Sequence, residues 1–152
     1  MYNSMELIFD LAVGTNRPII ELNEIFQGCT ALLDTGAIIP VWTKKVELLE
    51  ALGATLYKKN VEFSGFGGKT IGDLYKIDLQ LGKIMYPGLP VVVHEDNKIP
   101  GYFIFSATMF NNMIYTIDDI TKKFIVILTD NQVCHNIKVI NSNDKITVLV
   151  NQ

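Results

Sequence analysis

One short run places an acid where apolar residues would cost less. Ala31-Leu32-Leu33 leads into Asp34-Thr35-Gly36, and Ala37-Ile38-Ile39 follows. An ionised carboxylate between apolar segments is costly unless it is paired or hydrogen-bonded. Asp and Gly both favour turns, so a plain turn between two strands is the competing reading. A carboxylate held at such a point could instead take or give a proton as a general base or acid.

The other chemically capable residues are less organised. His94 and His135 are the only histidines. His94-Glu95-Asp96 has metal-binding residue types without ligand spacing, so a surface loop is the better reading and no metal is expected. Cys134 and His135 are adjacent, and adjacent residues on a strand face opposite ways, which argues against a thiol–imidazole pair. Cys29 sits in an apolar run and reads as a small core residue. Gly65-Phe66-Gly67-Gly68-Lys69-Thr70 superficially suggests a phosphate loop. It lacks that motif's glycine spacing, and a strand rather than a helix is expected after it. Trp42 and the scattered Phe and Tyr residues make no stacking platform. Lys44-Lys45, Lys58-Lys59 and Lys122-Lys123 read as solvated surface.

Bulk composition narrows the class. The 152 residues are 49% hydrophobic and 19% charged, which excludes wholesale disorder and suits one domain over 1–152. A net charge of −3 and a pI near 5.3 give no basic footprint for nucleic acid. Two cysteines are too few for a secreted disulfide framework. The apolar stretches Ala37 to Trp42 and Phe124 to Leu128 fall well short of the ~18 residues of a membrane span. Met1 to Glu6 has neither a basic segment nor a long apolar one, so no signal peptide is read. A cytoplasmic domain without a membrane partner is the expectation.

The elements that must position Asp34 are β. Ile, Val and Thr make up 42 of the 152 residues, and β-branched side chains suit a pleated, half-buried surface. Strands are expected over Met5 to Val13, Ile19 to Phe26 and Cys29 to Leu33. The last is apolar enough for burial on both faces. Thr43 to Leu52 is the best helix, with Thr43 as its cap and Gly53 as its stop. Leu56 to Phe63 and Thr70 to Leu81 flank a glycine-rich tip as a long hairpin. Lys83 to Tyr86 reads as a short edge and Leu89 to His94 as a buried strand. Tyr102 to Phe105 is apolar, and Ala107 to Met113 is expected to be a short helix. Ile114 to Ile117 with Phe124 to Leu128, and Asn136 to Ile140 with Ile146 to Val150, read as closing hairpins.

Taken in this order, the sequence resembles the retropepsin-like aspartic proteases. The resemblance rests on the apolar strand entering Asp34-Thr35-Gly36-Ala37, the hairpin at Ser64 to Lys69, the strand at Leu89 to Val93, and Tyr102 to Phe110 with the hairpin after it. It covers roughly 19–128, leaving 134–152 as a C-terminal hairpin extension. The family fold implied is mostly β, a closed β-barrel of the acid-protease kind with one or two short helices. The activity implied is hydrolysis of extended peptides or proteins without a cofactor. That reaction needs one group to take a proton from water and another to give one to the carbonyl oxygen or departing amine. Two neighbouring carboxylates share a proton and divide these tasks. No other Asp here is followed by Thr-Gly or Ser-Gly. The second carboxylate is therefore expected from a second copy in a homodimer. In these terms Asp34 is catalytic, and Thr35, Gly36 and Ala37 support its loop, with Thr35 bonding across the dimer. Phe66, Gly67 and Gly68 form the tip of a substrate-covering flap. Ile39, Val41 and Ile71 are candidate pocket walls, with ordinary core as the equal alternative.

Some positions depart from the family pattern. Ser106 stands where glycine is usual, and Ile38 stands where a polar residue is frequent. These departures motivate a second reading, a catalytically silent peptide-binding or dimerisation module. A heterodimer with a different partner chain is a third. Ala37 lacks the hydroxyl that some relatives place near the carboxylate, so the charged pair is less stabilised. The pH profile of any peptidase activity should therefore peak nearer neutral than in acid-adapted relatives, and a maximum below about pH 3 would contradict this charge argument.

Overall fold

The computed structural model describes residues 5–65, 68–128, 133–142 and 145–150. The chain is mostly β, with one short α-helix. β1 (Met5–Asp10), β2 (Ile19–Glu21) and β3 (Thr30–Asp34) come first, followed by the short β4 (Val41–Trp42) and α1 (Val46–Ala51). β5 (Thr55–Gly65) and β6 (Gly68–Leu81) form the long hairpin, and β7 (Ile84–Val93) continues the meander. β8 (Phe103–Ser106) runs into a 3-10 turn at Ala107–Phe110. β9 (Ile114–Asp118) and β10 (Lys123–Leu128) make a hairpin. β11 (Val133–Cys134), β12 (Ile137–Ser142) and β13 (Lys145–Val150) complete the described chain.

The main sheet has the order β2-β3-β8-β4-β7-β6-β5, with β11 beside β7. β3 runs parallel to β8, while β4 is antiparallel to β8 and parallel to β7. This sheet corrects the closed-barrel expectation, because its end strands β2 and β5 do not pair. Beyond β2 there is a single bridge, Leu11 to Ile20, and β1 then leaves to pair with β10. β5 instead lies against β13. The separate three-stranded sheet is β1-β10-β9. The Lys123–Asp10 ion pair joins β10 to β1, and the Asp118 carboxylate accepts the amides of Ile120 and Thr121 to close the β9–β10 turn.

Several boundaries move for identifiable reasons. The second strand ends at Glu21 because residues 22–29 fold into a turn, with the Gly28 amide on Asn23 Oδ1 at 3.1 Å. Thr43 does not cap α1. It is fully buried, and its hydroxyl donates to the Gly101 carbonyl at 2.8 Å. The helix starts later, with Lys45 at its N-cap and no side-chain cap bond. The two strands expected around Pro87-Gly88 are one, because a register shift between Ile77 and Leu79 lets β6 follow β7 past the break. Gly88 takes a positive φ there, and its amide is held by Asp78 Oδ1 at 2.7 Å.

The core has two parts. The larger includes Trp42, Tyr86, Phe103, Phe105 and Phe124, all fully buried. The smaller holds Ile39, Val41, Val61, Phe63, Leu74, Val92 and Ile104, and joins the β5–β6 hairpin to β4 and β8. β6 last pairs with β7 at Asp73–Val93. From Val61–Gly72 to Gly65–Gly68 the hairpin arms pair only with each other among the described residues. Gly72 sits at the joint. A Cβ there would lie 2.6 Å from the Val93 carbonyl oxygen and 2.9 Å from Val92 Cγ1, and backbone in a ladder yields poorly. Gly72→Ala should therefore lower stability by about 1–3 kcal/mol. Urea unfolding would register this as a lower midpoint, and a midpoint equal to the parent's would contradict such a tight joint.

Candidate active site

β3 goes from core to solvent over its own length. Ala31 and Leu32 are buried, Leu33 is half-buried, and Asp34 is exposed. The Leu33 amide donates to the Pro18 carbonyl at 2.9 Å. In the parallel ladder Asp34 stands opposite Ser106, so β3 and β8 end together and their loops leave side by side. The Gly36 amide donates to Asp34 Oδ1 at 2.9 Å, and the Ala37 amide to the Asp34 carbonyl at 3.1 Å. These two bonds fold 34–37 into a tight turn that holds one carboxylate oxygen. A Cβ on Gly36 would come within 3.3 Å of that oxygen, so a residue without a side chain suits this close approach. Thr35 is exposed beside the carboxylate, and its hydroxyl makes no hydrogen bond among the described residues.

The 3-10 turn after β8 braces this loop. The Ala107 amide donates to the Ala37 carbonyl at 3.2 Å. The Thr108 hydroxyl donates to the Ile38 carbonyl at 2.9 Å. The Ser106 and Thr108 hydroxyl oxygens are 2.6 Å apart. Thr108 spends its only hydroxyl hydrogen on Ile38, so Ser106 is the donor of that pair. Ser106 is thus fully buried and hydrogen-bonded. On its other side, the turn receives the Tyr86 hydroxyl at the Met109 carbonyl, 2.7 Å. His135 Nε2 lies 2.8 Å from the Thr108 carbonyl. Burial pulls the His135 imidazole below its ordinary pKa and raises that of the Tyr86 phenol.

A cavity of about 160 Å³ opens at the joined strand ends, lined by Pro18, Leu33, Asp34, Thr35, Phe105, Ser106, Ala107, Phe110, Tyr115 and Ile117. Asp34 is the only acid among these described residues. Drug-sized ligands occupy cavities of about 300–1,000 Å³, so this one takes a side chain or a few waters, not an extended peptide.

The remaining expected positions divide. Ala37 packs on the smaller core. Ile39 and Val41 are buried within it at 3% and 4% exposure, so they are core and not pocket walls. Ile71 is 65% exposed on the hairpin, pairing with Glu62. Gly68 opens β6 opposite Gly65, while Phe66 and Gly67 lie outside the described residues. His94 is half-buried, its ring 6.3 Å from that of Phe63. No three metal-ligating groups gather among the described residues. Burial pushes the Cys29 thiol up to about 12, which suits a core residue and not a nucleophile. Cys134 is exposed and His135 buried, as strand alternation requires. Thr108, Tyr86 and His135 were not identified as site residues from sequence. Only the Ser106-x-Thr108 pairing of hydroxyls just after an apolar strand hinted at the first.

No family model matches the sequence, and no curated protein matches it either. Among solved structures, the chain is similar to a retropepsin-like aspartic protease from Rickettsia conorii. The identity is 15%, the TM-score is 0.49, and the match covers 84% of this chain and 93% of that one.

Proposed function

We propose that this chain is one half of a homodimeric aspartic endopeptidase, with Asp34 from each copy forming the catalytic pair. The observation that carries this reading is the placement of Asp34. It is an exposed carboxylate at the joined ends of two parallel strands, with its loop braced by hydrogen bonds on both sides of the turn. The cavity beside it is too small for a peptide, and its described lining holds no second acid. The bare Thr35 hydroxyl next to it is suited to a bond across a two-fold axis.

The chemistry follows from the pair. Two carboxylates about 3 Å apart cannot both ionise, so they hold one proton between them. The ionised member takes a proton from water as its oxygen attacks the scissile carbonyl carbon. The protonated member gives its proton to the carbonyl oxygen. Collapse of the resulting diol expels the amine, which takes a proton from one carboxylate while a diol hydroxyl gives its proton to the other, so the pair again holds one proton. No covalent intermediate forms. The outer part of the β5–β6 hairpin, whose arms pair only with each other among the described residues, would cover an extended peptide and bind its backbone as a strand, excluding water from the reaction.

Asp34→Asn keeps an oxygen for the Gly36 amide, so the fold should survive. Cleavage should fall by about 10²–10⁴-fold or more, the ordinary value of a general acid–base group. Light scattering of the parent should give about twice the 17.0 kDa chain mass. Undiminished cleavage by the variant would refute the mechanism, and a monomer at micromolar concentration would refute the homodimer. A dimer that binds a statine-type mimic but cleaves no member of a peptide library would identify a silent binding module.

A further inference from the structure

We propose that His135 is a positioning residue for the Asp34 loop, acting through Thr108; this rests on the catalytic reading of Asp34 and deepens it. His135 follows β11, whose register on β7 pairs Val133 with Ile84 and Cys134 with Met85. Its amide donates to the Met85 carbonyl at 2.8 Å, so its backbone is fixed. Strand alternation turns the ring inward, to 1% exposure.

Nε2 then meets the Thr108 carbonyl at 2.8 Å. A carbonyl only accepts, so Nε2 carries the proton. The ring stands edge-on to Tyr86 with centroids 5.6 Å apart, and the Tyr86 hydroxyl donates to the next carbonyl, Met109. Two consecutive carbonyls of the 3-10 turn are thus pinned by buried donors. A turn this short has few bonds of its own and poor bond geometry, so these donors, with Met109 and Phe110 buried in the larger core, set its position.

Thr108 passes the constraint on. Its carbonyl is held by His135, and its hydroxyl holds Ile38. The neighbouring Ala107 holds Ala37, and Ala37 closes the turn on Asp34. Misplacing a reacting group by about 1 Å can cost 10²-fold in rate, so freedom in the turn becomes freedom in the carboxylate. His135 never touches substrate in this scheme.

The experiment uses the full chain and two variants of one side chain. His135→Phe keeps a ring but removes the donor. His135→Gln places an amide nitrogen at a reach equivalent to Nε2. Two quantities are read: hydrolysis of fluorescein-labelled casein, and hydrogen exchange at the amides of Gly36 and Ala37. His135→Phe should reduce the maximal hydrolysis rate and accelerate both amides by at least about tenfold. It should leave KM and exchange in the β1–β10 ladder unchanged. His135→Gln should recover most of both quantities. Exchange that is unaltered at Gly36 and Ala37, or accelerated equally throughout the chain, overturns the proposal. So does a Gln variant as impaired as the Phe variant. If His135→Phe does not fold, Thr108→Val cuts the same chain at Ile38 and should loosen the same two amides; protection equal to the parent's overturns the proposal. If the parent leaves casein intact, the catalytic reading fails by itself, and the exchange data still decide whether His135 sets the loop.

Discussion

Parallel strands that pair in register end at the same level, and the segments leaving them emerge as neighbours. β3 and β8 do this at Asp34 and Ser106, and the surroundings of Asp34 depend on it. Direct parallel neighbours cannot be joined by a tight turn. Here the connection carries β4, α1 and the long β5–β7 meander. The crossover that the parallel pairing requires thus also brings the long β5–β6 hairpin into the main sheet. The apolar cost of bringing an acid to this point is limited because β3 buries Ala31 and Leu32 and exposes its last residue.

The second requirement is polar satisfaction. The loop after Asp34 and the turn after Ser106 expose backbone groups that neither strand can pair. They pair with each other through Ala107 and Thr108. Tyr86 and His135 satisfy the far side of the turn. Among the described residues no buried side-chain polar atom lacks a partner. Networks of this kind rigidify when complete and are costly when one member is missing. The C-terminal segment, which reads from sequence as an extension beyond the family core, thus supplies one donor to the network. It also adds Ile137 to the larger core and Val139 to the edge of the smaller one.

What was legible in the sequence was local. An acid between apolar runs, β-branched abundance and glycines between two long alternating segments located Asp34, the β class and the main hairpin. The errors arose where a distant partner overrode a local signal. Thr43 has the chemistry of a helix cap, but the Gly101 carbonyl, 58 residues away, takes its hydroxyl. Pro87-Gly88 looks like the end of a strand, yet it is taken up as a bulge in β7, where the steps from Tyr86 to Leu89 outnumber those from Ile77 to Leu79 on β6. The closed barrel failed because β1 pairs with β10, and the outer edge of β2 meets only Leu11 and Ala12 among the described residues, not β5. Thr108 and Ile38 are 70 residues apart, and His135 and Thr108 are 27 apart. No periodicity or motif encodes such pairs, so the bracing of the site became visible only in three dimensions.

In the proposed homodimer each chain carries half of a reacting pair. The most direct measurement is the separation of the two Asp34 carboxylates in a crystal structure of the chain assembled in solution. Carboxylate oxygens about 3 Å apart across a two-fold axis are the predicted result. A closed dimer in which they lie well beyond hydrogen-bonding reach would contradict it.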